Sequence, residues 1–172
     1  MHSLAKPTRK VLVVDDYSDT CEVLDIMFKA EGHHVLCASN GDEALNFAEQ
    51  CRPDVVLTEL NLHSSAMGGL SLGKKIRSNS KFDNTVLIAY TGYAQLSQQA
   101  ADAGFDYFAL KPEEAAILIG ATYAPRQNSL VILSLTLLEI SKELRSSIDT
   151  LSLTRSKAII KKMRNYQYAY TG

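Results

Sequence analysis

The sequence has none of the patterns that mark a membrane-spanning, secreted or disulfide-stabilised protein. Its most apolar run, LVILSLTLLEI, is far shorter than the roughly 20 residues that a helix needs to cross a bilayer. The amino-terminal stretch MHSLAKPTRK contains no apolar core of the kind that a signal peptide requires. The three cysteines, Cys21, Cys37 and Cys51, form no C-x-x-C pair, so we interpret them as reduced structural residues. We therefore expect a soluble cytoplasmic protein without membrane contacts.

Further absences restrict the architecture and the chemistry. The sequence contains no internal repeat, no low-complexity tract and no glycine-rich phosphate loop after any apolar run. Its residues are 46% hydrophobic and 22% charged, which permits a real core and argues against disorder. The charge is unevenly distributed: residues 1–124 carry 10 basic and 16 acidic side chains, whereas residues 125–172 carry 8 and 3. The resulting net charges, −6 and +5, indicate two parts with different roles.

Five short apolar runs recur along the acidic part of the chain. Most are apolar at every position, which is typical of strands that are covered on both faces of a parallel sheet. The runs are KVLVVD (10–15), HVLCAS (34–39), DVVLTE (54–59), VLIAYT (86–91) and YFALK (107–111). Segments with helical spacing of apolar residues lie between or after them, at 18–32, 40–51, 70–79, 94–104 and 113–121. This alternation predicts an α/β fold with a doubly wound, five-stranded parallel sheet.

The pattern changes after the polar stretch TYAPRQNS, which contains Pro125. Beyond this stretch, leucine and isoleucine recur at steps of three and four, close to a heptad stripe. We therefore expect an amino-terminal arm, an α/β domain and a helical tail, at residues 1–9, 10–124 and 125–172. The predicted helix at 129–151 either covers the domain's own surface or serves for dimerisation or partner binding, because an isolated helix of this length is only marginally stable.

Polar side chains stand at the carboxyl ends of four predicted strands. In an open α/β sheet, ligands bind at this edge, near the point where the strand order reverses. Crowded carboxylates repel each other, so a cation must compensate them or a pKa must rise. Carboxylate oxygens suit Mg²⁺, while a lysine and a hydroxyl opposite the metal would hold phosphoryl oxygens. The residues concerned are Asp15 and Asp16 after the first run, Glu59 after the third, Thr91 after the fourth and Lys111 after the fifth.

Four motifs together resemble the receiver domain of bacterial two-component response regulators, the CheY-like family with a flavodoxin-like fold. The motifs are VLVVDD (11–16), PDVVLTELNL (53–62), VLIAYTGYA (86–94) and DYFALKP (106–112). The resemblance implies that Asp15 and Asp16 bind Mg²⁺, together with the side chain at position 59 and the backbone carbonyl of Asn61. It also implies that Thr91 and Lys111 contact a phosphoryl group and that Phe108 holds the family's aromatic switch position.

The family's phosphoacceptor is an aspartate, and Glu59 stands in its place. A glutamate reaches roughly 1.5 Å further, and a misplacement of about 1 Å can slow a reaction on the order of a hundredfold. His63 is a second departure, because the family usually has proline there. We expect the Glu59 carboxylate to approach Thr91 and Lys111 and to lock the domain in one signalling state. The alternatives are a decayed site in which Glu59 has no role and residual phosphorylation of Glu59 or a neighbour.

The favoured function is an atypical receiver, or pseudo-receiver, in phosphorelay signal transduction, acting by protein–protein contact and not as an enzyme. Its partners would be a sensor histidine kinase or another signalling protein, and a second copy of the chain through the 129–151 helix. Glu59 would weaken or abolish Mg²⁺ binding. Two alternatives are a Mg²⁺-dependent phosphotransfer or phosphatase enzyme and a DNA-binding regulator. The second would use the basic tail residues Lys157, Lys161, Lys162 and Arg164, but such a charge run is more often a solvated face.

Overall fold

Strands and helices alternate in the computed structural model, which describes residues 7–63, 66–112, 115–127 and 130–133. The strands are β1 (Lys10–Val14), β2 (His34–Ala38), β3 (Val55–Thr58), β4 (Val86–Thr91), β5 (Tyr107–Leu110) and β6 (Val131–Leu133). The helices are α1 (Ser18–Ala30), α2 (Gly41–Cys51), α3 (Gly69–Arg77), α4 (Ser97–Asp102) and α5 (Ala115–Ala121). Short 3₁₀ turns at Ser80–Phe82 and Ala94–Leu96 precede β4 and α4.

The strands form one parallel sheet in the order β2-β1-β3-β4-β5-β6. The chain moves from β1 outward to β2 and then returns past β1 to β3, so the strand order reverses between β1 and β3. Ligands of such sheets bind beyond the carboxyl ends of the strands at this reversal. The predicted α/β fold with a parallel sheet is confirmed, and the sheet places the ends of β1 and β3 side by side.

Two apolar layers cover the two faces of the sheet. Alternate residues of each strand point to opposite faces, so Leu12 and Val14 of β1 enter one layer while Val11 and Val13 enter the other. The first layer includes buried residues of α2, α3 and α4, and the second includes buried residues of α1 and α5. This double coverage explains why the predicted strands are apolar at consecutive positions.

Local signals in the sequence determine where α2 begins and ends. The Asn40 side chain accepts a hydrogen bond from the Glu43 amide at 2.9 Å, and the Glu43 carboxylate accepts one from the Ser39 amide at 2.8 Å. These reciprocal contacts satisfy amide groups that have no partner within the helix. At the other end, Arg52 adopts a left-handed conformation with φ of 47°, and Pro53 follows it. The helix therefore stops directly before β3.

The sixth strand corrects the prediction for the beginning of the tail. We expected five strands and a helix from residue 129, whereas Val131–Leu133 pairs in parallel with Tyr107–Ala109 of β5. A short apolar run fits either a helix or a strand, and the outer edge of β5 offers backbone groups that need partners. The sheet therefore extends beyond residue 124. The rest of the predicted 129–151 helix and the basic tail residues lie outside the described residues, and the proposed domain division otherwise stays a prediction.

The helices of the described ranges include none that combines the length and the apolar character needed to cross a bilayer.

Candidate functional site

The carboxyl edge of the sheet brings four of the predicted side chains into direct contact. Lys111, which follows β5, places Nζ 2.5 Å from Asp15 Oδ2 and 2.9 Å from Glu59 Oε2. Thr91, the last residue of β4, donates a hydrogen bond from Oγ1 to Glu59 Oε1 at 2.5 Å. Asp15, Glu59 and Thr91 are each no more than 5% exposed. Neighbouring parallel strands end together, which is why residues so distant in sequence meet here.

Glu59 is held through both of its carboxylate oxygens. Besides the Thr91 hydroxyl, Oε1 accepts hydrogen bonds from the backbone amides of Leu60 at 2.8 Å and Asn61 at 3.1 Å. Oε2 faces the Lys111 ammonium. Hydrogen bonds to a charged group contribute about 1.5–3 kcal/mol each. The buried charge of Glu59 is therefore satisfied by groups of the domain itself.

Lys111 compensates two carboxylates in a largely buried position. Burial alone would lower the pKa of Lys111, but the nearby Asp15 and Glu59 carboxylates outweigh it, so the pKa lies above its usual value. The ammonium also lies 5.6 Å from the centre of the Tyr90 ring, within range of a cation–π contact. In this structure the Lys111 ammonium binds two carboxylates, and its predicted contact with a phosphoryl group stays a prediction.

Burial and the Lys111 ammonium shift the pKa of Asp15 in opposite directions. Desolvation raises the pKa of Asp15 above its ordinary value of 3.8, and the ion pair with Lys111 and the amide of Tyr17 offset only part of that effect. The Tyr17 amide donates to Asp15 Oδ1 at 3.0 Å. Both oxygens of Asp15 therefore have partners within the protein.

Asp16 is bound by His63, a contact that the sequence motifs did not predict. Its Oδ2 accepts a hydrogen bond from the His63 amide at 2.9 Å, and His63 Nδ1 lies 3.4 Å away. His63 Nε2 lies 3.3 Å from the Asn61 side-chain nitrogen. The Asp16 Oδ1 atom is buried without a hydrogen-bond partner. The only sequence signal for this contact is the departure from proline at position 63.

A close backbone approach fixes the start of α3 against the loop that carries Glu59. A Cβ atom added to Gly69 would lie 2.0 Å from the carbonyl oxygen of Glu59, so no other residue fits without a shift. The Gly69 amide also donates to the Leu60 carbonyl at 3.2 Å. The loop after β3 is thus clamped next to the residue whose carboxylate fills the site.

The side chains of Phe108 and Asn61 are not part of the cluster that contains Lys111. Phe108 is 2% exposed and belongs to the apolar layer under α2, α3 and α4. Asn61 is exposed, and its backbone amide donates a hydrogen bond to Glu59. The metal contact that the resemblance implies for its backbone carbonyl stays a prediction. The described contacts place neither side chain against the Lys111 ammonium.

The arrangement of side chains does not fit the predicted Mg²⁺ ligand set. Lys111 Nζ contacts both the Asp15 and the Glu59 carboxylates, the side chains that would hold Mg²⁺. Among the residues that the structure describes, no group of three or more His, Cys, Asp or Glu side chains is arranged to hold a metal. Of the carboxylate oxygens at this edge, Asp16 Oδ1 is buried without a hydrogen-bond partner. The internal ammonium therefore supplies the positive charge in this arrangement.

A second buried ion pair lies at the amino end of β5, far from the predicted chemistry. Asp106 is 1% exposed and accepts hydrogen bonds from Arg77, from the Leu87 amide at 2.8 Å and from the Gln127 amide at 3.0 Å. Arg77 also donates to the carbonyl oxygens of Gly104 and Thr85, at 2.7 and 2.8 Å. Burial raises the pKa of Asp106 and lowers that of Arg77. This pair connects α3, β4 and β5 to the segment that leads to β6, and its role is structural.

Comparisons with known proteins identify the relatives of this chain. The family described as response regulator receiver domain matches residues 11–122. A protein of Leptolyngbya boryana, described as an uncharacterized 14.6 kDa protein in the sodA1 3′ region, is 33% identical over 111 residues, covering 63% of this chain and 83% of that protein. The DNA-binding response regulator MtrA of Mycobacterium tuberculosis is 28% identical over 116 residues, which cover 67% of this chain and 50% of MtrA. The chain thus matches about half the length of this second relative.

A solved structure supports the same assignment. The chemotaxis response regulator CheY4 of Vibrio cholerae superposes with a TM-score of 0.62 at 25% sequence identity, covering 67% of this chain and 99% of that protein. The parallel sheet, the clustered side chains at its carboxyl edge and the match over residues 11–122 agree with one another. The chain therefore belongs to the response regulator receiver family.

Proposed function

We propose that this chain is a pseudo-receiver, a signalling module whose state is set by Glu59 and not by phosphorylation. The observation that carries the proposal is the position of the Glu59 carboxylate. It already binds the Thr91 hydroxyl and the Lys111 ammonium, the two groups that the family resemblance assigns to a phosphoryl group. A charged side chain of the domain thereby takes the contacts that a modified aspartate would make.

The same geometry makes Glu59 a poor phosphoacceptor. An attacking oxygen needs a free lone pair and a precise approach, and the longer side chain moves it by roughly 1.5 Å. Oε1 accepts three hydrogen bonds and Oε2 faces Lys111, so attack would require the carboxylate to leave its partners. We propose for this reason that phosphorylation of position 59 is negligible in this chain.

Receiver domains typically bind Mg²⁺, and we propose that this one binds it more weakly than a variant with aspartate at position 59. A shorter carboxylate would withdraw from Thr91 and from the Lys111 ammonium. Lys111 could then move away from Asp15 and leave carboxylate oxygens that suit Mg²⁺. Mg²⁺ bound there would neutralise the carboxylate charges at the carboxyl edge of the sheet.

Receiver domains act together with histidine kinases or phosphotransfer proteins. For this chain we propose protein–protein contact as the output and no enzymatic turnover of its own. The homodimer that we expected through residues 129–151 stays a proposal, with Val131–Leu133 reassigned to the sheet. We also propose that the protein acts in the cytoplasm, which is consistent with its response-regulator fold.

DNA binding is the second candidate, because the name of MtrA includes it and the segment 125–172 carries a net charge of +5. Contacts between basic side chains and phosphates weaken steeply as the salt concentration rises. Retention on immobilised double-stranded DNA that falls with salt and disappears when residues 134–172 are removed would favour this candidate. Retention that is absent at low salt would exclude it.

The direct test of the pseudo-receiver is the intact mass of the protein after incubation with Mg²⁺ and acetyl phosphate, beside the variants Glu59→Asp and Glu59→Gln. We expect no phosphoryl adduct on the parent or on Glu59→Gln and an adduct on Glu59→Asp. An adduct on the parent would overturn the proposal. If all three proteins stay unmodified, the loop that contains His63 has disabled the site independently of Glu59.

A further inference from the structure

Two of the three cysteines lie together on a face of the domain that the proposed function does not use. Cys21 belongs to α1 and is 8% exposed, and Cys37 belongs to β2 and is half-buried. Both pack in the apolar layer between the sheet and α1. Cys37 stands on the outermost strand on that side of the sheet, so a small solute can reach the pair from the edge.

Each of the two thiols donates a hydrogen bond to a backbone carbonyl, and the carbonyl that Cys37 contacts belongs to Cys21. Cys37 Sγ donates to the carbonyl oxygen of Cys21 at 3.7 Å, and Cys21 Sγ donates to the carbonyl oxygen of Asp15 at 3.7 Å. The Cys37 sulfur thus touches the residue to which it would be linked. All three cysteines are free thiols in this structure.

We propose that Cys21 and Cys37 are a reversible disulfide pair that forms when a peroxide oxidises the protein. The Cys37 thiolate attacks one peroxide oxygen, the O–O bond breaks, and the released hydroxide takes up a proton to give water and a sulfenic acid at Cys37. The Cys21 sulfur then attacks the Cys37 sulfur, the S–O bond breaks, and the departing oxygen takes up a proton as water. The two thiols are oxidised by two electrons and one peroxide is reduced to two waters.

Exposure and thiol pKa indicate that Cys37 reacts with the peroxide and that Cys21 then forms the disulfide. Cys37 is the more exposed of the pair, and the neighbouring Cys21 thiol lowers the pKa of Cys37, which favours the thiolate. Cys51, the last residue of α2, provides an internal comparison, since burial raises the pKa of its thiol. The bond would tie α1 to the edge strand and remove the Cys21 donor from the Asp15 carbonyl, next to the carboxylate cluster.

The test uses the reduced full chain, hydrogen peroxide, alkylation of the remaining thiols with N-ethylmaleimide and peptide mapping. We expect an intact mass lower by two hydrogen atoms, a linked pair of peptides that contain Cys21 and Cys37, and recovery of both thiols with dithiothreitol. Cys51→Ser is the matched control and should form the same bond at the same rate. Cys37→Ser should lose free thiol more slowly, by a factor on the order of ten.

Three results would overturn the proposal, and none depends on how well a variant folds. In the parent, Cys51 could oxidise while Cys21 and Cys37 stay alkylatable. Cys37 could instead proceed to a sulfinic acid without linking to Cys21. Finally, the disulfide could join two copies of the chain, which would be visible as a dimer in a non-reducing gel.

Discussion

Four donor groups surround the single carboxylate of Glu59. The donors come from the loop after β3, from the end of β4 and from the residue that follows β5. Each is fixed by backbone that is already part of the sheet or directly follows it. A carboxylate held in this manner loses little further freedom when the domain meets a partner, which supports our proposal that Glu59 sets the state before binding.

The Thr91 hydroxyl provides the first prediction. We expect Thr91→Val, which keeps the shape but removes the donor to Glu59, to lower the free energy of unfolding by about 1.5–3 kcal/mol, because a hydrogen bond to a charged group is lost. Thr91→Ser is the control, since it keeps the hydroxyl and loses a methyl group worth about 1 kcal/mol. Urea denaturation measures both. If the serine variant is as destabilised as the valine variant, the hydroxyl contributes nothing.

Asp15 gives a prediction about pH. Because burial raises its pKa above 3.8 in the folded protein, the contribution of Asp15 to stability is fully present below that pH and is lost as the pH rises through the folded value. An asparagine at position 15 does not titrate. We therefore expect the unfolding free energy of Asp15→Asn, relative to the parent, to increase between about pH 4 and pH 7. A difference that is constant or falls with pH, measured by urea denaturation at each pH, would contradict the effect of burial.

The sequence was sufficient to predict which residues meet at the carboxyl edge, but not all of their contacts. Asp15, Glu59, Thr91 and Lys111 each follow an apolar run, and parallel strands end side by side, so their proximity follows from the fold. The contact of His63 with Asp16 depends on the path of the loop after β3, which no periodic pattern encodes. The position of Lys111 between two carboxylates depends on side-chain conformations that spacing does not determine.

At the scale of elements, β5 and β6 show where tertiary contacts override a local pattern. The apolar run at 130–133 fits a helix by its spacing, yet three of its residues complete the edge of β5. The connecting segment is held by the Tyr107 hydroxyl, which donates to the Pro125 carbonyl at 2.8 Å, and by the Gln127 amide, which donates to Asp106. Tyr107 and Asp106 lie about twenty positions before the residues that they hold, so a local sequence pattern cannot predict these contacts.

Asp106 should therefore be critical for the packing of several elements. We expect Asp106→Asn to lower the free energy of unfolding by about 3 kcal/mol or more, because it leaves the largely buried Arg77 without its opposite charge. The matched control is Asp102→Asn on the exposed surface of α4, which should change stability by no more than about 0.5 kcal/mol. Urea denaturation compares the two variants. Equal effects would mean that the buried pair adds no stability.

At the scale of the whole molecule, the parallel sheet of the described residues is that of a receiver domain. The net charge differs between this domain and the segment after residue 124. The acidic part, with a net charge of −6, contains the carboxylate cluster, and the basic part begins where β6 joins the sheet. Within this domain, we propose that Glu59 and its donors set the signalling state.

The most direct test of that assignment is a comparison of backbone amide NMR spectra between the parent and Glu59→Gln. The substitution keeps the size of the side chain and removes its charge, so the partners of Glu59 should respond. We predict large shifts at Leu60 and Asn61, whose amides donate to Oε1, and further shifts at Thr91 and Lys111, which lie on other strands. Shifts confined to residues 58–60, with Thr91 and Lys111 unchanged, would contradict the claim that the Glu59 carboxylate sets the state of the domain.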